Sequence, residues 1–144
     1  MLKGIPPLLS PALFAVLMEM GHGDEIVLAD GNFPAASIAR RLVRCDGLEI
    51  PPLLEAILRF FPLDSYVPRP VALMAVVPGD DVKPEIWGVY RDIVGAAAAG
   101  ASRDAFEFLE REGFYARARE AYAVVATSEK ALYANVLLKK GVVV

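Results

Sequence analysis

Short, densely apolar runs alternate with polar turns along the chain, and the spacing of those runs predicts its elements. Ser10-Pro11 ahead of an apolar stretch reads as an N-cap with proline at the first helical position, and Gly21 reads as the stop. Between them Leu13, Leu17 and Met20 share one face, but Phe14, Val16 and Met18 cover most of the rest. A helix apolar nearly all round is buried on more than one side, as at a subunit interface. Glu25 to Asp30 reads as a short buried strand ending in an acid, and Arg41 to Cys45 as a second strand. Residues 50–61 have helical periodicity, with Pro51 and Pro52 tolerable in the first turn. Val71 to Val77 is a continuous apolar run, as expected of a central strand covered on both faces. After the turn at Pro78-Gly79-Asp80, a helix is expected from about Pro84 into Gly95–Gly100. Partial alternation predicts a strand from Ala105 to Arg111, followed by a short helical turn from Phe114 to Glu120. Two closing strands are expected at Ala121–Thr127 and Asn135–Val144. The order of elements predicts a single-domain, three-layer α/β fold over residues 1–144, with helices on both faces of one mixed sheet.

Composition changes this picture in one respect. Hydrophobic residues make up 56% of the 144, and mean hydropathy is +0.42. A chain this short has too much surface to hide that much apolar matter inside itself, which points to a homo-oligomer. The net charge of −3 does not suit a nucleic-acid partner, and Arg40, Arg41 and Arg44 read as a solvated edge or a subunit contact. The single cysteine, Cys45, excludes an internal disulfide and reads as a small buried apolar residue. The first residues do not follow the pattern of a signal peptide, and no apolar run reaches the ~18–20 residues that span a bilayer. A cytoplasmic protein without a membrane partner is expected.

His22, the only histidine, stands between Gly21 and Gly23 just past the first helix. Imidazole ordinarily titrates near neutrality and can both give and take a proton, so His22 is an acid–base candidate. A histidine capping the helix end is the equal alternative. Asp30 ends a strand, and ligands of open α/β sheets bind beyond the carboxyl ends of strands. A plain turn-forming aspartate fits that position as well. Tyr133 and Asn135, flanking Ala134, offer a hydroxyl and an amide to a polar ligand, although such residues are common in turns. Arg111 is either a binding group or an exposed partner of Glu110 or Glu112. No phosphate loop, nucleophile elbow or histidine or cysteine cluster for a metal is present in the sequence. Asp80-Asp81 reads as a turn, since a lone acidic pair supplies too few ligands.

Several segments together resemble the L-fucose mutarotase family. They are Met20 to Val27, Asp30 to Ala35, Arg44 to Gly47, Leu63 to Tyr66, Arg111 to Ala118 and Tyr133 to Gly141. They cover most of the chain in order, and residues 79–110 match least. The resemblance implies a proton donor at His22, with sugar bound by Asp30, Arg111 and the Tyr133-Ala134-Asn135 segment. It implies no cofactor, a monosaccharide as partner, and a ring-like homo-oligomer, a decamer among the assemblies it allows, with sites shared between subunits. The sister D-ribose pyranases are similar in outline but carry histidine where Arg111 stands and lack the Phe33-Pro34 pair. Those positions favour the fucose side. A pyranase and a non-catalytic sugar-binding accessory of an uptake system are the rival functions.

Overall fold

A computed structural model describes residues 1–98 and 105–144. Its elements are α1 (Pro11–Glu19), β1 (Glu25–Ala29), α2 (Ala35–Ile38), β2 (Leu42–Cys45), α3 (Ile50–Leu58) and β3 (Val71–Met74). They continue with α4 (Ile86–Ala97), β4 (Phe106–Leu109), α5 (Arg111–Glu120), β5 (Ala123–Thr127) and β6 (Val136–Lys139). The six strands form one sheet in the order β2-β5-β1-β6-β3-β4. β2, β5 and β1 run parallel, as do β3 and β4, while β6 runs antiparallel to both of its neighbours. The expected mixed sheet is therefore present.

Helices cover both faces, as expected. On one face α1, α3 and α4 pack over Ile26, Leu28, Val71, Leu73, Val136 and Leu138. On the other α2 and α5 pack over the alternate residues Val27, Ala29, Ala72, Met74 and Leu137. Period-two alternation along each strand thus fills two cores at once, and β1, β3 and β5 are buried at nearly every position. In α3, Ile50, Leu53, Leu54 and Ile57 are fully buried, each worth ~1.5–3 kcal/mol relative to exposure.

Several boundaries differ from expectation. The last strand stops at Lys139 rather than running to Val144, because the chain turns away to pack against residues 62–64. There the Gly141 amide donates to the Pro62 carbonyl, and a Cβ on Gly141 would lie 2.6 Å from the Leu63 oxygen. The fourth strand ends at Leu109, and Arg111 opens α5 instead of closing that strand. The helix expected at Phe114 thus begins three residues earlier, with Glu110 at the N-cap. The one-turn α2 was not expected. The expected end of the fourth helix at Gly100 lies outside the described residues. Within the chain α1 buries only one side, through Leu13, Val16 and Leu17, and leaves Met18 exposed.

Within one chain the basic stretch is exposed and locally paired. Arg40 pairs with Glu120, Arg44 with Asp46, and Arg41 lies 4.0 Å from the Tyr122 ring centroid. Cys45 is buried and free, and burial pushes its thiol up, away from nucleophilic use.

Candidate active site

The register of β6 against β1 determines what meets at the carboxyl end of the sheet. Leu28 pairs with Val136, so Asn135 lies beside the end of β1, where Asp30 follows Ala29. The Asp30 backbone amide donates to Asn135 Oδ1 at 2.8 Å, which commits that oxygen and leaves the amide NH2 as a donor. Asp30, Asn32, Phe33, Met74, Asp80, Tyr115, Tyr133 and Asn135 line a cleft of about 230 Å³. Phe33 packs edge-on against both Phe114 and Tyr115, so it is a core residue that also walls the cleft. A larger hollow of about 550 Å³ lies against the amino-terminal segment and α1. Its walls are Met1, Leu2, Ile5, Phe14 and their neighbours, with Ser10 the one polar side chain, and they could not orient a polyol.

Burial raises the Asp30 carboxyl above its ordinary range, and the charge of Glu129 adds to this. Backbone N–H groups of Asn32, Phe33 and Ala134 pull against that rise. Tyr133 has φ +58, a left-handed conformation costing a non-glycine residue ~1–3 kcal/mol unless its surroundings enforce it. They do so at several points. Trp87 Nε1 donates to the Tyr133 carbonyl at 2.9 Å, and the buried Tyr90 hydroxyl donates to the Ala134 carbonyl at 2.7 Å. The Tyr133 hydroxyl donates to Asp80 Oδ2 at 2.6 Å, a bond that also raises the phenol above its ordinary range.

His22 lies at the opposite end of β1. Five residues from Glu25 to Ala29, at ~3.3 Å each, separate it from Asp30, far more than one monosaccharide spans. Its Nε2 is 3.2 Å from Asp64 Oδ1, and Tyr66 lies beside it with centroids 5.4 Å apart. The ring therefore does not cap α1. Within one chain Asp64 is the acid that orients the imidazole, and the length of β1 separates it from Asp30. Burial alone would raise the Asp64 carboxyl, but the Tyr66 N–H, His22 and Lys139 outweigh it and hold the group below its ordinary range.

Residues 3–143 match the family described as the RbsD / FucU transport protein family. The chain belongs to this family. A fucose mutarotase from Streptococcus pneumoniae, solved in complex with L-fucose, is 56% identical with a TM-score of 0.94, covering 99% of this chain and 100% of that one. The fucose mutarotase of Homo sapiens is 52% identical over 147 residues, covering 98% of this chain and 94% of its own length. The L-fucose mutarotase of Actinobacillus pleuropneumoniae serotype 5b (strain L20) is 48% identical over 142 residues, covering 99% of this chain and 97% of its own.

In this member of the RbsD / FucU family, Asp30, Tyr133, Ala134 and Asn135 come together as expected of one site. Arg111 stands at its rim, its guanidinium carbon 5.4 Å from the ring centroid of Tyr115, a cleft residue. Arg111 pairs with neither Glu110 nor Glu112. As the first residue of α5 it places a cation at the positive end of a helix dipole, so helix stability does not explain it. Among the described residues no group of three His, Cys, Asp or Glu could hold a metal ion. Four participants escaped the sequence: Asp64 behind His22, Asp80 against Tyr133, and Trp87 and Tyr90 beneath the 133–134 carbonyls. An acid in a turn carries no local mark of a partner 42 or 53 residues away.

Proposed function

We propose that this protein is a cytoplasmic L-fucose mutarotase interconverting the α and β anomers, with each site completed by His22 of a neighbouring subunit. The carrying observation is the cleft in which Asp30, Tyr133 and Asn135 converge beside Phe33, in a chain 56% identical to a fucose mutarotase solved with L-fucose. The cleft pairs acceptors and an amide donor with an apolar wall, which suits a sugar having both hydroxyls and a methyl group.

Mutarotation is a pair of proton transfers around one bond. The proton on O1 leaves, the ring oxygen gains one, and the C1–O5 bond breaks to give an open-chain aldehyde. Rotation about C1–C2 and re-closure on the other face return the second anomer, with no redox change and no cofactor. His22 is the acid–base group at the anomeric end. Its Nε2–H bond to Asp64 leaves Nδ1 and the exposed edge of the ring, 45% accessible, for a neighbouring site. Asp30, Arg111, Tyr133 and Asn135 hold the sugar hydroxyls. A ring-like homo-oligomer, a decamer among the assemblies allowed, supplies the neighbour. Exposed Met18, Tyr66 and Leu132 fit such contacts.

Saturation-transfer NMR of the anomeric protons tests this reading. Protein-dependent exchange between α- and β-L-fucopyranose is expected. Exchange confined to the pyranose and furanose forms of D-ribose, or sugar binding without exchange, refutes it.

A further inference from the structure

We propose that Asp80 is a positioning residue of the sugar site, fixing the Tyr133 hydroxyl so that it can only accept a hydrogen bond from substrate. The inference rests on the mutarotase reading for the identity of the sugar. It rests on the geometry around one oxygen for everything else.

A phenol oxygen has one proton and two lone pairs. Asp80 Oδ2 lies 2.6 Å from the Tyr133 hydroxyl, and an ionised carboxylate can only accept, so the phenol proton is committed to it. The Val77 amide donates to the same hydroxyl at 3.3 Å, occupying one lone pair. One lone pair is left, and both Asp80 and Tyr133 line the cleft. Asp80 is itself held. Its Oδ1 accepts the Val82 amide at 3.1 Å, and its own amide donates to the Val77 carbonyl at 3.0 Å. The segment after β3 is thus folded around this carboxylate and latched onto Tyr133.

The consequence is a directional requirement on the ligand. Asp30 and Tyr133 both present acceptors to the cleft, so a bound molecule must bring hydroxyl protons at those points. Replacing the carboxylate by an amide removes the constraint. In Asp80→Asn the amide can donate to the phenol oxygen, which turns the Tyr133 proton toward the sugar, while Oδ1 still serves Val82.

The test uses the full-length protein with L-fucose and its 2-, 3- and 4-deoxyfluoro analogues, since fluorine cannot donate. In the wild type, one analogue should bind about tenfold more weakly than L-fucose, the scale of one hydrogen bond. That penalty should shrink toward none in Tyr133→Phe, and become smaller in Asp80→Asn, where fluorine meets a hydroxyl proton instead of a lone pair. Asp80→Asn should also raise KM for L-fucose, by no more than Tyr133→Phe does and with a much smaller change in kcat, and add little to Tyr133→Phe. An unchanged penalty in Tyr133→Phe overturns the acceptor role, and an unchanged penalty in Asp80→Asn overturns the positioning role. Failure of the wild type to exchange L-fucose anomers refutes the mutarotase reading instead, and the binding series still decides the role of Asp80.

Discussion

Replacing Asp64 by asparagine separates the tuning of His22 from its presence. Asp64 is 3% exposed, and its Oδ1 takes both His22 Nε2 and the Tyr66 amide, the latter at 3.0 Å. Asparagine keeps an oxygen for Tyr66 but loses the charge. It can also donate to His22, so the imidazole is no longer restricted to the tautomer protonated at Nε2. A hydrogen bond to a charged group is worth ~1.5–3 kcal/mol when buried, whereas exposed ion pairs give ~0.2–1 kcal/mol. His22 is 45% exposed, so a loss of about 1 kcal/mol in stability at pH 7 is expected. Catalysed anomer exchange should fall at least ~10-fold, less than the ~10²–10⁴-fold expected on removing a general acid–base group outright. Sugar affinity should change less than exchange, since Asp64 touches His22 and Tyr66 and does not line the cleft. The folded-state pKa of Asp64 is depressed, so the unfolded chain binds more protons between the two pKa values and stability rises with pH there. The stability difference between wild type and Asp64→Asn should therefore shrink as pH falls below ~4. Urea unfolding at several pH values and saturation-transfer NMR measure both effects. Wild-type exchange in Asp64→Asn, or a stability difference that grows as pH falls below ~4, refutes the reasoning.

Asp30 carries the opposite sign. Its folded pKa is raised, so the folded state binds more protons in that window and loses stability as pH rises through it. Asp30→Asn should raise the Tm at pH 7 while abolishing most L-fucose exchange, and a lowered Tm contradicts the assignment of burial as the dominant cause. Gly141→Ala meets the Leu63 oxygen at 2.6 Å and the Asp64 Cα at 2.8 Å, so residues 62–64 must shift. A cost of ~1–3 kcal/mol is expected by chemical denaturation, together with reduced exchange because Asp64 carries His22. Unchanged stability would mean that the backbone there yields freely.

What was legible in the sequence was what local chemistry encodes. Ser10 ahead of Pro11 marked the start of α1, and its hydroxyl oxygen accepts the Leu13 amide at 3.2 Å. The strand-end rule brought out Asp30, and Tyr133 with Asn135 stood at the start of the last strand; the antiparallel register of β6 on β1 joins them. Apolar content misled at the carboxyl terminus, where Gly141 to Val144 have strand-like side chains but no neighbouring strand to pair with. α5 was hidden at its start because Gly113 and the charged residues around it give no periodic stripe. The strand expected from Glu25 to Asp30 already placed His22 and Asp30 at its opposite ends, but sheet order is not a local property, so nothing in the sequence indicated which residues would flank each of them. The roles of Asp64 and Asp80 depend on that order too, and turn acids look alike without it.

The shared site can be tested by mixing two defective chains. His22→Asn and Asp30→Asn should each assemble, and each alone should lose most anomer exchange. If His22 of one subunit serves the cleft of another, subunits re-assembled from an equal mixture should rebuild intact sites at about one quarter of interfaces, by random pairing in a symmetric oligomer. L-Fucose exchange should then recover to roughly that fraction of wild type once native mass spectrometry shows that the chains have mixed. Mixed oligomers with no recovery would contradict the account, because no cleft would then be completed by its neighbour.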